Sequence, residues 1–209
     1  KILNFILREK LLKQYLSPLL YNFKHSRTVT HTDKTFFVRK MIEFFERGEE
    51  FLLLELSGKV FKFAITGKLL DIELPLFANA LYEPRTTKLV FDNFSGGVFL
   101  DVGASTGYYT LIASVLCNAS KVIPFEINSV SIEALKKSVI ENELTNIDFS
   151  FLGFPLSDGI LNYAPAVEGD LSIGLVKGSG DDFIQSRSLD ELEIEEIDFL
   201  KVDIDGIEV

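Results

Sequence analysis

Asp101, Glu126 and Asp203 each close a short apolar run (Val98–Leu100, Lys121–Phe125 and Ile197–Leu200 with its continuation). If those runs are parallel strands of one sheet, their carboxyl ends share a rim, and that rim is where such sheets bind ligands. After the first acid comes Gly103-Ala104-Ser105-Thr106-Gly107. Glycines there let the backbone approach a small ligand, and the helix that follows begins with unpaired N–H groups. Glu126 follows this turn at the interval of ~20 residues from which a carboxylate reaches both hydroxyls of a ribose. Each acid alone reads as a solvated loop residue; together on one rim they point to a nucleoside ligand.

Two cofactor classes suit the layout. A nicotinamide dinucleotide needs room for its pyrophosphate, hence a glycine where this chain has Ser105. S-adenosylmethionine carries no phosphate, and its ammonium and sulfonium groups are cationic. Coulomb attraction to an acidic rim therefore favours it, and the reading leans to methyl transfer. A nicotinamide-dependent oxidoreductase and a non-catalytic binding module both stay open. His25 and His31 stand in a polar loop at a spacing that matches no zinc pair, and read as solvated, with a base folded over the site as the lesser reading. The single Cys117 excludes an intrachain disulfide and reads as an inert core thiol.

The elements that must position these groups follow from the apolar period. Val98–Leu100 is a buried strand, the glycine turn leads into a helix over Tyr108–Leu116, and Lys121–Phe125 is the next strand. Ser129–Asn142 is a helix with Val130, Ala134, Leu135, Val139 and Ile140 on one side, Ile147–Leu152 a third strand, and Ile197–Asp203 a further one. That order predicts a Rossmann-like, doubly wound α/β domain over 76–209, with a parallel sheet. Such a sheet normally continues, so the stretch is expected to be the front of a larger domain. Gly159–Ser188 breaks the rhythm and reads as inserted β-hairpin material, followed by a helical turn at Ser188–Leu192. Thr86–Phe94 is a short helix.

Residues 1–75 form a separate region. Residues 2–23 have helical spacing with a broad apolar face and a few basic residues, and Phe36–Arg47 is a second helix. The first helix reads as packing on its own domain or on a second subunit, with a weak contact to an anionic membrane surface as the alternative. Phe51–Leu56, Lys59–Thr66 and Leu69–Leu74 read as a small antiparallel meander turning at Ser57-Gly58 and Gly67-Lys68. With 47% hydrophobic and 25% charged residues the composition is that of a globular protein, and a net charge of −10 argues against a nucleic-acid partner. No apolar run is long enough to span a membrane and no secretory signal is recognisable, so a cytoplasmic location is expected.

The motifs VFLDVGASTGYYTLIA, KVIPFEINSVSIEALKKSVIENEL, LSDG and SLDELEIEEIDFLKVDIDGIE resemble the FkbM family of S-adenosylmethionine-dependent methyltransferases over residues 80–208. Asp101, Gly103, Ala104, Gly107, Tyr109, Thr110, Glu126, Asn142, Asp190, Lys201, Asp203, Asp205, Gly206 and Glu208 stand at matching positions, and Tyr82-Glu83-Pro84 looks like the family's upstream F-E-P. The chain departs from the pattern at Ser105, where asparagine is usual, at Ile127-Asn128, where proline follows the glutamate, and at Phe154-Pro155-Leu156 before the S-D-G. Residues 1–75 lie outside the resemblance.

The resemblance implies a methyl transfer, expected to be O-methylation of a hydroxyl on a sugar, glycan or other small acceptor. It implies that Gly103, Ala104, Ser105 and Gly107 pack on the methionine part of the cofactor, with Asp101, Tyr109 and Thr110 beside them and Glu83 near the methionine end. Glu126 and its neighbour Ile127 take the ribose. Leu156, Ser157 and Asp158 edge the adenine, with Asp158 either accepting from its amino group or serving as a turn residue. A hydroxyl acceptor must lose a proton, and Asp203 and Asp205 are the candidate bases. A divalent ion on Asp203, Asp205 and Glu208 is the lesser alternative, and no metal is expected.

Overall fold

The computed structural model describes residues 43–44, 47–66, 72–77, 80–156, 162–165, 175–177, 184–194 and 196–204. The expected helices at 2–23 and Phe36–Arg47 lie almost wholly outside them, as do His25 and His31. Among the described residues no helix is long and apolar enough to cross a membrane.

At the centre is a parallel sheet of three strands, β3 (Gly97–Val102), β4 (Ala119–Phe125) and β8 (Phe199–Val202), in the order β4-β3-β8. β3 and β4 form because β-branched and aromatic residues pack on both faces of the pleat, whereas on β8 Leu200 and Val202 are exposed. Phe99 and Val122 face one layer, made by α2 (Pro84–Asn93), α3 (Tyr108–Leu111) and α4 (Ser129–Glu141). Leu100, Val102, Ile123 and Phe125 face the other, where Leu192, Phe151 and Phe154 cover them. Phe99 and Phe199, paired in register, stack at 5.2 Å. The fully buried Phe99 contributes about 1.5–3 kcal/mol, and Phe199 is half-buried.

The hairpin of β1 (Phe51–Leu56) and β2 (Lys59–Ala64) packs into the helix-side core through Leu54, Phe61 and Phe63. The outer edge of β2 is closed by α4. The Lys62 N–H donates to Asn142 Oδ1 at 2.8 Å, Asn142 Nδ2 donates back to the Lys62 carbonyl at 2.6 Å, and the Ala64 N–H donates to Ser138 Oγ at 2.9 Å. Asn142 is thus the C-cap of α4 and the tie that fixes the hairpin to it.

Three expected elements differ. Leu69–Leu74 is not a third strand at its end: Glu73–Phe77 is a helix, α1. The fully buried Glu73 carboxylate accepts from both the N–H and the hydroxyl of Thr66 at 2.7 Å, which turns the chain, while Ile72, Leu76 and Phe77 bury one helical face. Ile147–Leu152 pairs with β4 only at Ile147, opposite Val122. Asp148 Oδ1 accepts from the N–H and hydroxyl of Ser150, a side-chain turn that ends the pairing. The helix expected over Tyr108–Leu116 is α-helical to Leu111 and then widens to a π turn over Ile112–Leu116. There Ser114 bonds Asn146 at 2.6 Å, and the Val115 carbonyl accepts from Lys59.

The inserted segment is a second antiparallel sheet of β5 (Asn162–Pro165), β6 (Leu175–Lys177) and β7 (Ile184–Gln185), ordered β6-β5-β7. The turn over Leu189–Leu192 is a 3-10 helix whose N-cap Ser188 and Glu191 bond each other's backbone.

Candidate functional site

The carboxyl ends of β3, β4 and β8 lie on one edge because the strands are parallel and in register. Glu126 follows β4 directly and Asp203 follows β8, while Asp101 is the penultimate residue of β3. The glycine turn rises between β3 and α3 and is built around close contacts. Gly103 has φ +73°, and a Cβ there would stand 1.8 Å from the Asp203 carbonyl oxygen. Gly107 has φ +91°, and a Cβ there would meet Leu135 of α4 at 2.2 Å. Ser105 is also left-handed, at φ 49°, a conformation costly for a residue with a Cβ.

Four of the five N–H groups of this turn, those of Gly103, Ala104, Ser105 and Gly107, are spent internally. Those of Gly103 and Ala104 both donate to the Phe125 carbonyl at 2.9 Å, and that of Gly107 donates to the Ala104 carbonyl at 2.9 Å. The Ser105 N–H donates to Glu126 Oε2 at 2.7 Å. Glu126 Oε1 accepts from the N–H groups of Ile127 and Asn128, each at 2.8 Å. Burial pushes the Glu126 carboxyl above the ordinary range, and those three backbone bonds oppose the shift. A carboxylate offers about four acceptor positions, so one remains at Oε2. Asn128 caps α4, its Oδ1 accepting from the N–H groups of Val130 and Ser131, so the same short segment orients the acid and starts the helix.

Asp101 is fully buried on the helix side of β3. Its Oδ2 accepts from the Thr110 hydroxyl at 2.7 Å. Its Oδ1 lies 3.3 Å from Lys201 Nζ but receives no hydrogen bond, so charge alone holds that oxygen. Lys201 is the cross-strand partner of Asp101 in β8 and is itself buried. Its ammonium donates to the Gly103 carbonyl at 2.7 Å and the Val102 carbonyl at 3.4 Å, stands 3.9 Å from Asp203 Oδ2, and lies 5.4 Å from the centre of the Tyr109 ring. Asp203 is half exposed.

Tyr109 is buried, and its hydroxyl donates to Glu83 Oε2 at 2.9 Å. Burial raises the Tyr109 phenol far above its usual range, and the Glu83 carboxylate adds to the rise. Glu83 is exposed and left-handed, at φ 40°, and although it stands at the N-cap of α2 its side chain makes no cap. Its carboxylate is turned instead toward α3.

Of the residues singled out from the sequence, the fold gathers Asp101, Gly103, Ala104, Ser105, Gly107, Tyr109, Thr110, Glu126, Ile127, Asp203 and Glu83 around the turn. Leu156 bridges Arg187 and packs on the far face of the sheet. Ser157, Asp158 and Asp205 lie outside the described residues. Among the described residues no group of three or more His, Cys, Asp or Glu converges as a metal site would. Cys117 is a buried free thiol whose titration burial pushes up. What sequence reasoning missed is the centrality of Lys201. The signal was a lysine inside an apolar strand run, FLKV, where a buried charge demands a partner.

No family model matches the chain, and no curated protein matches it. Among solved structures, the crystal structure of M. jannaschii TYW2 in complex with AdoMet aligns at 18% identity and a TM-score of 0.36. The alignment covers 50% of this chain and 44% of that one, so this chain spans less than half the length of the protein it matches.

Proposed function

We propose that this protein is an S-adenosylmethionine-dependent methyltransferase built on a Rossmann-like sheet, as its resemblance to the FkbM family implies, and that it O-methylates a hydroxyl of a sugar, glycan or other small acceptor. The observation that carries this is the Ser105 N–H, given to Glu126 and not free for an anion. With Gly103, Ala104 and Gly107 spent as well, the turn offers little to a pyrophosphate, which needs unpaired N–H groups. A nicotinamide dinucleotide is thereby disfavoured, and a nucleoside without phosphate is favoured.

The donor set suits that nucleoside. Glu126 is oriented by the backbone with an acceptor position left for a ribose hydroxyl. Glu83, held off its cap by Tyr109, gives an exposed carboxylate for an ammonium, and its backbone strain is what a functional constraint leaves behind. Bound there, the cofactor supplies a methyl carbon activated by positive sulfur. The chain's own work is to hold the acceptor oxygen in line and to take its proton. Asp203, half exposed at the rim, is the described candidate for that base, with Asp205 beside it in sequence.

Calorimetric titration with S-adenosylmethionine and with NAD tests the proposal. Micromolar binding of the first, weakened at least tenfold by Glu126→Ala, is the expected result, a loss of ~1.4 kcal/mol or more, as for a charged hydrogen bond. Tight NAD binding, or no binding of either, refutes it.

A further inference from the structure

Three carboxylates crowd the rim, yet the structure sets an ammonium among them. Lys201 pairs with Asp101 across β3 and β8 at 3.3 Å, reaches Asp203 at 3.9 Å and covers the Tyr109 ring. It also lies close enough to Glu126 to favour that carboxyl's ionised form. A buried lysine is expensive, and hydrophobic residues fill strand positions at less cost. Its bonds to the Val102 and Gly103 carbonyls explain how it is tolerated but not why a charge is needed there.

Resting on the methyl-donor reading, we propose that Lys201 is a specificity-determining residue. Its ammonium cancels one of the three rim carboxylates, and so narrows the site's preference for a cationic sulfur ligand over a neutral one. S-adenosylmethionine and its demethylated thioether, S-adenosylhomocysteine, differ by the methyl group and the positive charge it brings to sulfur. A rim of three uncompensated carboxylates would grip the donor far more tightly than the spent product. With Lys201 in place the rim carries two net negative charges, and the two ligands are held more evenly.

The measured quantity is the ratio of the two dissociation constants, product over donor, in the full chain. Were the sulfur to bind on the order of 10 Å from the ammonium, removing that elementary charge at an effective dielectric of ~20 would change the ratio on the order of tenfold. Lys201→Met should raise the ratio by that factor. Lys201→Met combined with Asp101→Asn restores the charge balance and should return it to the wild-type value. A purely structural lysine predicts instead that both affinities fall together with the ratio unmoved, and that result overturns the proposal, as does a double variant that keeps the raised ratio. Should Lys201→Met fail to fold, Asp203→Asn reads the same charge from the other side. It should lower the ratio severalfold, and an unchanged ratio refutes the assignment. If the wild-type chain binds neither ligand, the methyl-donor reading falls and this proposal with it. Binding of both with a charge-insensitive ratio overturns the role of Lys201 alone.

Discussion

Gly103→Ala is the sharpest probe of how the site is assembled. Gly103 is left-handed, and a Cβ built there stands 1.8 Å from the Asp203 carbonyl oxygen, 2.8 Å from its carbon and 3.2 Å from Ile204 Cγ2. The conformational cost for alanine is ~1–2 kcal/mol. The clash is with backbone, which cannot swing aside as a side-chain tip does, and overpacking of that kind costs about 1–3 kcal/mol. To relieve it the end of β8 must move off β3, lengthening the bond from the Asp203 N–H to the Val102 carbonyl and the Lys201 bond to Gly103, about 1 kcal/mol each. The substitution should therefore destabilise by roughly 4–7 kcal/mol. Two other left-handed glycines serve as controls. Gly153, at φ +82°, has nothing within 4 Å of a Cβ, so Gly153→Ala should cost only the conformational ~1–2 kcal/mol. Gly107→Ala meets the flexible end of Leu135 and should fall between them. Urea unfolding, comparing midpoints at constant slope, reads all three. If Gly103→Ala costs no more than Gly153→Ala, β8 does not close against the turn, and the geometry given for Lys201 and Asp203 is wrong.

Two further predictions concern the frame around the site. Lys121 at 2.6 Å and the Ser150 bonds lower the Asp148 carboxyl to about 2, so its contribution is fully present above its unfolded pKa and is lost as pH falls through about 2. Because Lys121 is half exposed, solvent screening limits the stabilisation to ~1 kcal/mol or less. Asp148→Asn should thus lower stability at pH 7 by that amount, with the difference from wild type vanishing towards pH 2, and a difference that grows in acid would contradict the pairing. Asn142→Ala removes both bonds to the Lys62 backbone and should cost ~2 kcal/mol. Amide hydrogen exchange at Lys62 should accelerate, and unchanged protection there would show that Asn142 does not secure the hairpin.

The turn between β3 and α3 was legible because its signal is local: apolar strand, acid, glycines, apolar helix, all within Val98–Thr110. The same holds for Glu126. What failed was of another kind. The end of Leu69–Leu74 looked like a strand until Glu73 took both polar groups of Thr66 and made a helix start. Ile147–Leu152 has strand-like residues, but Asp148 bonds Ser150 and stops the ladder after one residue. Local side-chain bonds of this sort compete with the period and leave no trace in it. The pairing of Lys201 was hidden for the opposite reason. Its partner Asp101 is remote in sequence, and only the register of β3 against β8 makes them neighbours.

A strand at the margin of a sheet ordinarily presents a row of bare amides and carbonyls that invites another polypeptide to join. On β2 that row is occupied from within, since Ser138 and Asn142 mimic the bonding pattern of an absent strand. The hairpin is thereby sealed along that side against domain swapping and fibril-like stacking, by two small polar side chains that a purely apolar helix face could not replace.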